Sequence, residues 1–188
     1  MTTVRPAPVC FWSFAGFPES GVSMIEFQKI TDAEGLSSIR AIADEVWPET
    51  FAPILSPEQI VYMMKMMYAP EVMEKELANG FFFDLLTIDG VDAGYMVYAP
   101  YEEPETMKLH KLYLLEEFQG KGFGQKMLHH VAEEARKRGF KFLILAVNKQ
   151  NTKAQKAYER FGFKQYKAVQ IDIGNGFIMD DYWLRYSL

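Results

Sequence analysis

The alternation of apolar and polar residues divides the chain into strands and helices. A period of two, or a short apolar run bounded by turn residues, indicates strands. These segments are 24–30, 81–88, 91–99, 107–115, 140–147, 164–173 and 177–187. Tight turns at Asp89-Gly90 and Gly174-Asn175-Gly176 predict two hairpins.

A period near 3.6 indicates helices between these strands. Thr31-Asp32-Ala33-Glu34 has the form of a capping box, with Thr31 as N-cap of a helix that runs to about Val46. The aromatic segment 47–55 is expected to be a loop or a short helix. Further helices are predicted to begin at Pro57 and to cover 71–79, 124–138 and 152–161.

The order of elements predicts an α/β (α+β) fold. A strand, a helix and a strand over 107–147 imply a parallel pair with a right-handed crossover, whereas the hairpins imply antiparallel neighbours. One mixed, mostly antiparallel sheet of about six to seven strands, flanked by helices, satisfies both. Residues 24–188 are expected to form the domain. Residues 1–23 are expected to be a poorly ordered extension, or to be absent if translation begins at Met24.

Composition excludes several functional classes. The 188 residues carry a net charge of -5, so bulk electrostatics gives no reason to expect nucleic-acid binding. No apolar run reaches the ~18 residues that a membrane-spanning helix needs. The lone cysteine cannot form an internal disulfide, which favours the cytoplasm. No CxxC motif or Cys/His cluster predicts a metal site.

A glycine-rich loop precedes the helix predicted at 124–138. Gly120, Gly122 and Gly124 lack side chains where that helix begins, so its free N–H groups can turn toward one anion. Lys121 and Lys126 add positive charge nearby. The P-loop spacing and the dinucleotide pattern G-x-G-x-x-G both fail here, which argues against a nucleotide-binding protein. The pattern that fits is Q-x-x-G-x-G.

This loop, together with a second motif and the order of elements, resembles the GCN5-related N-acetyltransferase superfamily. Asn151, Ala154, Tyr158 and Gly162-Phe163 match the family pattern N-x-x-A-x-x-x-Y-x-x-x-G-F. The resemblance implies the acyl-CoA N-acyltransferase fold, with acetyl-CoA as acetyl donor. It implies a cofactor site at Leu112, Tyr113, Leu114, Gln119, Gly120, Lys121, Gly122, Phe123, Gly124 and Asn151.

The resemblance also assigns catalytic roles. Tyr158 would protonate the departing CoA thiolate, although its spacing alone favours a place in the core stripe of its helix. Asn151 would contact the cofactor or act only as an N-cap. Many relatives use a strand carboxylate as base, but this strand carries Lys108 and His110 on the face predicted to hold Leu112. His110 is the candidate base, with alternatives at Asp84, Glu102, Glu103 and Glu105.

Weaker similarity in WPETF, the Met-rich second helix and IMDDYWL points to acetyltransferases of spermidine and related polyamines. Trp47 and Phe51 would then wall the acceptor pocket, although aromatic residues at a helix end are more often core. The sequence therefore predicts an N-acetyltransferase for a primary amine of a small molecule, with polyamines as one candidate class. A non-catalytic acyl-CoA sensor, an acetyltransferase of a protein amine and a homodimer are left open.

Overall fold

The computed structural model describes residues 23–188, and its elements follow the predicted order. The predicted extension lies outside the described residues, except for Ser23. The strands are β1 (Ile25–Ile30), β2 (Phe82–Ile88), β3 (Val91–Pro100), β4 (Thr106–Leu114), β5 (Phe142–Asn148), β6 (Lys164–Gly174) and β7 (Phe177–Ser187). The α-helices are α1 (Ala33–Phe51), α2 (Pro57–Tyr68), α3 (Pro70–Ala78), α4 (Phe123–Lys137) and α5 (Thr152–Phe161).

The seven strands form one sheet in the order β1-β2-β3-β4-β5-β7-β6. Only β4 and β5 run parallel within this sheet, and the other neighbours are antiparallel. Helix α4 makes the crossover between the parallel pair. The predicted mixed, mostly antiparallel sheet with flanking helices is therefore confirmed.

Each face of the sheet has its own apolar core. Helices α1, α2 and α3 pack on one face through residues such as Ile39, Trp47 and Tyr68. Helix α4 packs on the other face through Met127 and Val131, with part of α5 beside it. The first three helices cover β1 to β4, so this face of β5 and β7 is left to other contacts.

Two predictions about α1 were wrong. Its N-cap is Asp32 rather than Thr31, because the Asp32 carboxylate accepts the Gly35 N–H at 2.9 Å. The helix also continues to Phe51, through the segment predicted to be a loop or a separate short helix. Pro48 lies inside it, but Trp47 and Phe51 are buried, and this packing outweighs the hydrogen bond that proline cannot donate.

A β-bulge in β4 changes which face its residues occupy. Tyr98 pairs with Leu109 and Val97 pairs with Lys111, so His110 has no partner on β3. Lys108 packs over the ring of Trp183, on the face opposite α4, whereas Leu112 packs against the α4 core. The prediction that Lys108 and Leu112 share a face was wrong, because the bulge adds one residue to the alternation.

Candidate active site

The parallel strands β4 and β5 separate at their carboxyl ends. They pair from Thr106 opposite Phe142 as far as Leu109 opposite Leu145, and both strands continue beyond that point without pairing. The main chain of each strand therefore has an edge free to bind an extended ligand. A cleft of about 670 Å³ lies between these ends.

The cleft reaches both faces of the sheet. On the α4 face it is lined by Leu128 and by Ala157 and Tyr158 of α5. On the opposite face it is lined by Phe51 and Ile54, at and after the end of α1. A donor bound on one side and an acceptor bound on the other could therefore meet between the two strands.

The glycine loop forms one end of the cleft. Gly122 is the N-cap of α4 with φ of 87°, and Gly120 has φ of 74°, conformations that side chains with a Cβ seldom adopt. None of the N–H groups from Gly120 to Gly124 donates a hydrogen bond to another residue of 23–188. A Cβ added at any of the three glycines would meet no atom within 4 Å. The loop thus presents free donors beside open space, as an anion site requires.

The other predicted cofactor residues of this segment either hold the glycine loop in place or offer only their main-chain N–H groups to a ligand. Gln119 lines the cleft, donates from Nε2 to the Leu114 carbonyl at 2.8 Å and accepts from Lys153 Nζ at 2.6 Å, so it ties the loop to β4 and α5. The Lys121 and Phe123 side chains do not line the cleft, and Phe123 is buried in the core. Only their N–H groups are placed to meet a ligand in the cleft.

Asn151 directly precedes α5, Tyr158 lies within it, and both residues line the cleft. The Asn151 side chain accepts the Ala154 N–H at 3.1 Å, which makes it the N-cap. The Tyr158 hydroxyl has no hydrogen-bond partner within residues 23–188. Burial raises the pKa of Tyr158 to about 12, so the phenol keeps its proton at neutral pH.

His110 lies in the cleft at the bulge of β4. Burial within the protein, and then the charges of Lys108 and Lys111, lower the pKa of His110 to about 3. The His110 residue is nevertheless exposed to solvent, which opposes part of this shift, and the imidazole is neutral near pH 7. It has the right place for a base and a low affinity for a proton.

The alternative acidic residues do not line the cleft. Asp84 is buried under α4, where its Oδ2 atom contacts His130 Nε2 at 2.7 Å and accepts from the Tyr98 hydroxyl at 2.8 Å. Glu103 pairs with Arg185, and Glu105 pairs with Lys141 at 2.6 Å. Glu103 and Glu105 precede β4, at the end of the strand opposite the glycine loop, and the same loop contains Glu102.

The two predicted acceptor-pocket aromatics occupy different places. Phe51 lines the cleft. Trp47 is 1% exposed, donates from its ring N–H to the Tyr68 hydroxyl at 3.0 Å and does not line the cleft. Its ring lies 4.5 Å from the Phe51 ring and 5.8 Å from the Tyr113 ring, centroid to centroid, so Trp47 supports two residues that do reach the cleft.

The β6–β7 hairpin folds over the α1–α3 face near the cleft. The Tyr62 hydroxyl of α2 donates to the Ile173 carbonyl, and Gln59 donates to the Ile178 carbonyl. On β7, Asp181 pairs with Asn148 of β5, which lines the cleft, although Asp181 is not itself one of the lining residues. The sequence analysis did not identify this acid. The available signal was an acidic residue between Met179 and Trp183, on an otherwise apolar strand face.

Residues 23–188 were searched for membrane-spanning helices and for metal sites. No helix there is both long enough and apolar enough to cross a bilayer. No group of three or more His, Cys, Asp or Glu side chains in the same residues is arranged to hold a metal ion.

Proteins of similar sequence carry N-acetyltransferase names. An uncharacterised N-acetyltransferase in the pepI 3′ region of Lactobacillus delbrueckii subsp. lactis is 27% identical over 163 residues, covering 83% of this chain and 92% of that protein. A spermidine N(1)-acetyltransferase of Thermoplasma acidophilum is 26% identical over 166 residues, covering 83% and 96%.

Solved structures agree on the fold. The PaiA N-acetyltransferase of Thermoplasma acidophilum, crystallised with coenzyme A, superposes with a TM-score of 0.74 at 24% identity, over 88% of this chain and 99% of that one. The model of the acetyltransferase (GNAT) family matches residues 38–163, which include the glycine loop and the Asn151–Phe163 motif. These findings confirm the predicted class of acyl-CoA-dependent N-acetyltransferase, for which acetyl-CoA is the donor substrate. The chain belongs to the acetyltransferase (GNAT) family.

Proposed function

We propose that this protein transfers the acetyl group of acetyl-CoA to a primary amine of a small cationic molecule, by direct attack in a ternary complex. The observation that carries the proposal is the separation of β4 from β5 beyond Leu109 and Leu145, with the free amides of the glycine loop at one end. This geometry suits a long ligand with an anionic part and an extended part.

The donor would lie with its diphosphate on the N–H groups of Gly120 to Gly124. Its pantetheine arm would run between the strand ends and bond to main chain near Leu112 and Val147, as an added strand does. The thioester carbonyl would then accept a hydrogen bond from a β4 amide, which favours negative charge on that oxygen as the amine attacks.

Tyr158 would protonate the sulfur as the carbon–sulfur bond breaks. The raised pKa of Tyr158 keeps its hydroxyl protonated until a thiolate forms nearby, and the hydroxyl is not engaged by another described side chain. A positioned acid of this kind contributes roughly 10²- to 10⁴-fold to a rate.

The acceptor would enter from the side of Phe51 and Ile54. This mouth also contains Glu49, an exposed carboxylate, and the aromatic rings behind it could stabilise an ammonium group. A polyamine fits this chemistry, and the similar spermidine N(1)-acetyltransferase of Thermoplasma acidophilum supports the choice. We place the activity in the cytoplasm, since the chain contains a single cysteine.

The test is an acceptor panel with acetyl-CoA, in which free thiol release is followed over time. The panel contains spermidine, spermine, putrescine, an amino acid, an aminoglycoside and a peptide with a free N-terminus. We expect turnover of at least one polyamine, with product mass increased by one acetyl group. Mass spectrometry of the product identifies the acetylated nitrogen.

Two results would contradict the proposal. Tight binding of acetyl-CoA without turnover of any amine would indicate an acyl-CoA sensor. Turnover of the peptide alone would indicate a protein acceptor.

The homodimer suggested by the family resemblance stays a prediction, and sedimentation of the full chain with and without acetyl-CoA would test it.

A further inference from the structure

Asp181 lies on the face of the sheet that carries the α1–α3 core, on the strand that pairs with the edge of β5 facing away from β4. It is directly opposite Asn148 in the antiparallel β5–β7 pair, so the two Cβ atoms are about 5 Å apart and their side chains share a face. Asn148 lines the cleft. The neighbours of Asp181 on the same strand face are Met179, which packs against the α1–α3 core, and Trp183.

Asp181 is a buried residue with no direct partner among the described residues. The residue is 6% exposed, and no hydrogen bond or ion pair joins it to another residue of 23–188. Asp180, the preceding residue, points to the other face and pairs with Lys149. A buried acid without a partner is costly, which suggests that this side chain is kept for a ligand.

The surroundings of Asp181 make it a suitable proton acceptor. Burial, and then the charge of Asp180, raise the pKa of Asp181 to about 6, while Lys108 on β4 and Lys149 after β5 oppose this shift. From β6 the opposed residue is Val169, which brings no charge. A base works best when its pKa is near the operating pH, and Asp181 meets this condition better than His110.

Asp181 and the predicted acid act on the same region of the molecule. Burial raises the pKa of Tyr113, and the nearby Tyr68, Tyr158 and Asp181 add smaller contributions to this shift. Tyr113 itself lines the cleft on β4. Tyr113 is therefore near enough to both Asp181 and Tyr158 for each to act electrostatically on its hydroxyl. This arrangement leaves the separated ends of β4 and β5 as the place where an amine and a thioester would meet.

We propose that Asp181 binds the ammonium group of the acceptor and takes its proton before attack, an inference that rests on the proposed acetyltransferase function. The ammonium N–H bond breaks, and the proton passes to the Asp181 carboxylate. The nitrogen lone pair then forms the bond to the thioester carbon. As the carbon–sulfur bond breaks, its electron pair goes to sulfur, which takes the Tyr158 proton. The nitrogen loses its second proton to the Tyr158 phenolate, and Asp181 releases its proton to water.

The experiment compares Asp181→Asn with wild type, using the best amine of the acceptor panel. We expect kcat to fall about 100-fold or more, as for the loss of a general base, with unchanged affinity for acetyl-CoA. In wild type, a plot of kcat/KM against pH should have a rising limb with an apparent pKa near 6. This limb should be absent from the pH profile of Asp181→Asn. A variant that keeps the limb and a rate within twofold of wild type would overturn the proposal.

Matched variants separate this role from a structural one. Asp180→Asn removes a carboxylate at the next position but on the other face. It should keep the limb but move it to a lower pH, because burial still raises the pKa of Asp181 while the contribution from the charge of Asp180 is lost. His110→Gln should also keep the limb, and loss of the limb in that variant instead would assign the base to His110. If Asp181→Asn fails to fold, Asp181→Glu and the His110→Gln profile still decide the question. Absence of wild-type turnover with every amine would count against the acetyltransferase proposal and not against Asp181 in particular.

Discussion

Leu109 and Leu145 are the last two residues at which β4 and β5 pair, and the cleft begins directly beyond them. The bulge at His110 occurs at the same point of β4, on its other edge. A bulge bends a strand and increases its twist, so the bulged strand turns away from its parallel neighbour. The functional opening of the sheet therefore follows from a local irregularity in one strand.

The glycine loop should bind the diphosphate only while its N–H groups are unobstructed. We expect Gly122→Ala to weaken acetyl-CoA binding by about tenfold or more, because a methyl group would stand beside the amides that meet the anion. Isothermal titration with acetyl-CoA measures the change.

Gly139→Ala is the matched control for this variant. Gly139 has φ of 83° against 87° for Gly122, and a Cβ would have open space at both positions. Both variants should therefore lose similar stability, of about 1 kcal/mol, from backbone strain. Equal acetyl-CoA affinities in the two variants would remove the loop from the donor site.

Tyr158→Phe tests the proton donor. Because the hydroxyl has no hydrogen-bond partner in residues 23–188, we expect the melting temperature to change by no more than a few degrees. The value of kcat should fall by about 100-fold while the dissociation constant of acetyl-CoA stays the same. Tyr186→Phe is the control, since Tyr186 packs beside Phe163 as Tyr158 does but lies away from the cleft. A wild-type kcat in Tyr158→Phe would leave that residue only a packing role.

Asp181 should make stability depend on pH in a defined direction. Its pKa is about 6 in the folded protein and near 3.9 in the unfolded chain. Below about pH 4 the carboxyl is neutral in both states and costs nothing, whereas above pH 6 the buried charge opposes folding. We expect Asp181→Asn to increase the free energy of unfolding by about 1–3 kcal/mol at pH 8 and by much less at pH 4. Urea denaturation at the two pH values measures this, and an equal effect at both would argue against the raised pKa.

Glu134 should have the opposite pH dependence. Hydrogen bonds from Arg138, and then from Lys137 and Lys29, lower the pKa of Glu134 to about 2, although its burial opposes the shift. This contribution to stability is complete above the unfolded pKa near 4.3 and is lost as pH falls toward 2. We expect Glu134→Gln to lower the free energy of unfolding by about 1–3 kcal/mol at pH 7, and by much less at pH 2.5.

Glu133→Gln is the control for Glu134→Gln. Glu133 pairs with Arg136 on the same helix, but its side chain is 59% exposed, so the loss should be no more than about 1 kcal/mol. Chemical denaturation of both variants at pH 7 makes the comparison. If Glu133→Gln lowers the free energy of unfolding as much as Glu134→Gln does, burial of the Glu134 carboxylate is not the reason for its contribution to stability.

The sequence by itself determined the elements, their order, the family and the place of the glycine loop. These features are local: helical and strand periods, capping side chains such as Asn151, and glycines such as Gly122 act within a few residues of one another. The misplaced end of α1, at Trp47 to Phe51, depended on packing against distant aromatic residues. The proline in that segment lowers its local helix propensity, whereas the aromatic core that covers the segment is formed by residues distant in the chain.

Only the tertiary structure decided which residues line each side of the cleft and which acid pairs with a lining residue. The face of a strand residue depends on cross-strand register, and the bulge at His110 changed that register without any signal in β4 itself. Asp181 became a candidate because β7 pairs with β5 at Asn148, a contact between residues far apart in the chain. Register and burial arise from pairing across the sheet, so they are decided when the strands assemble.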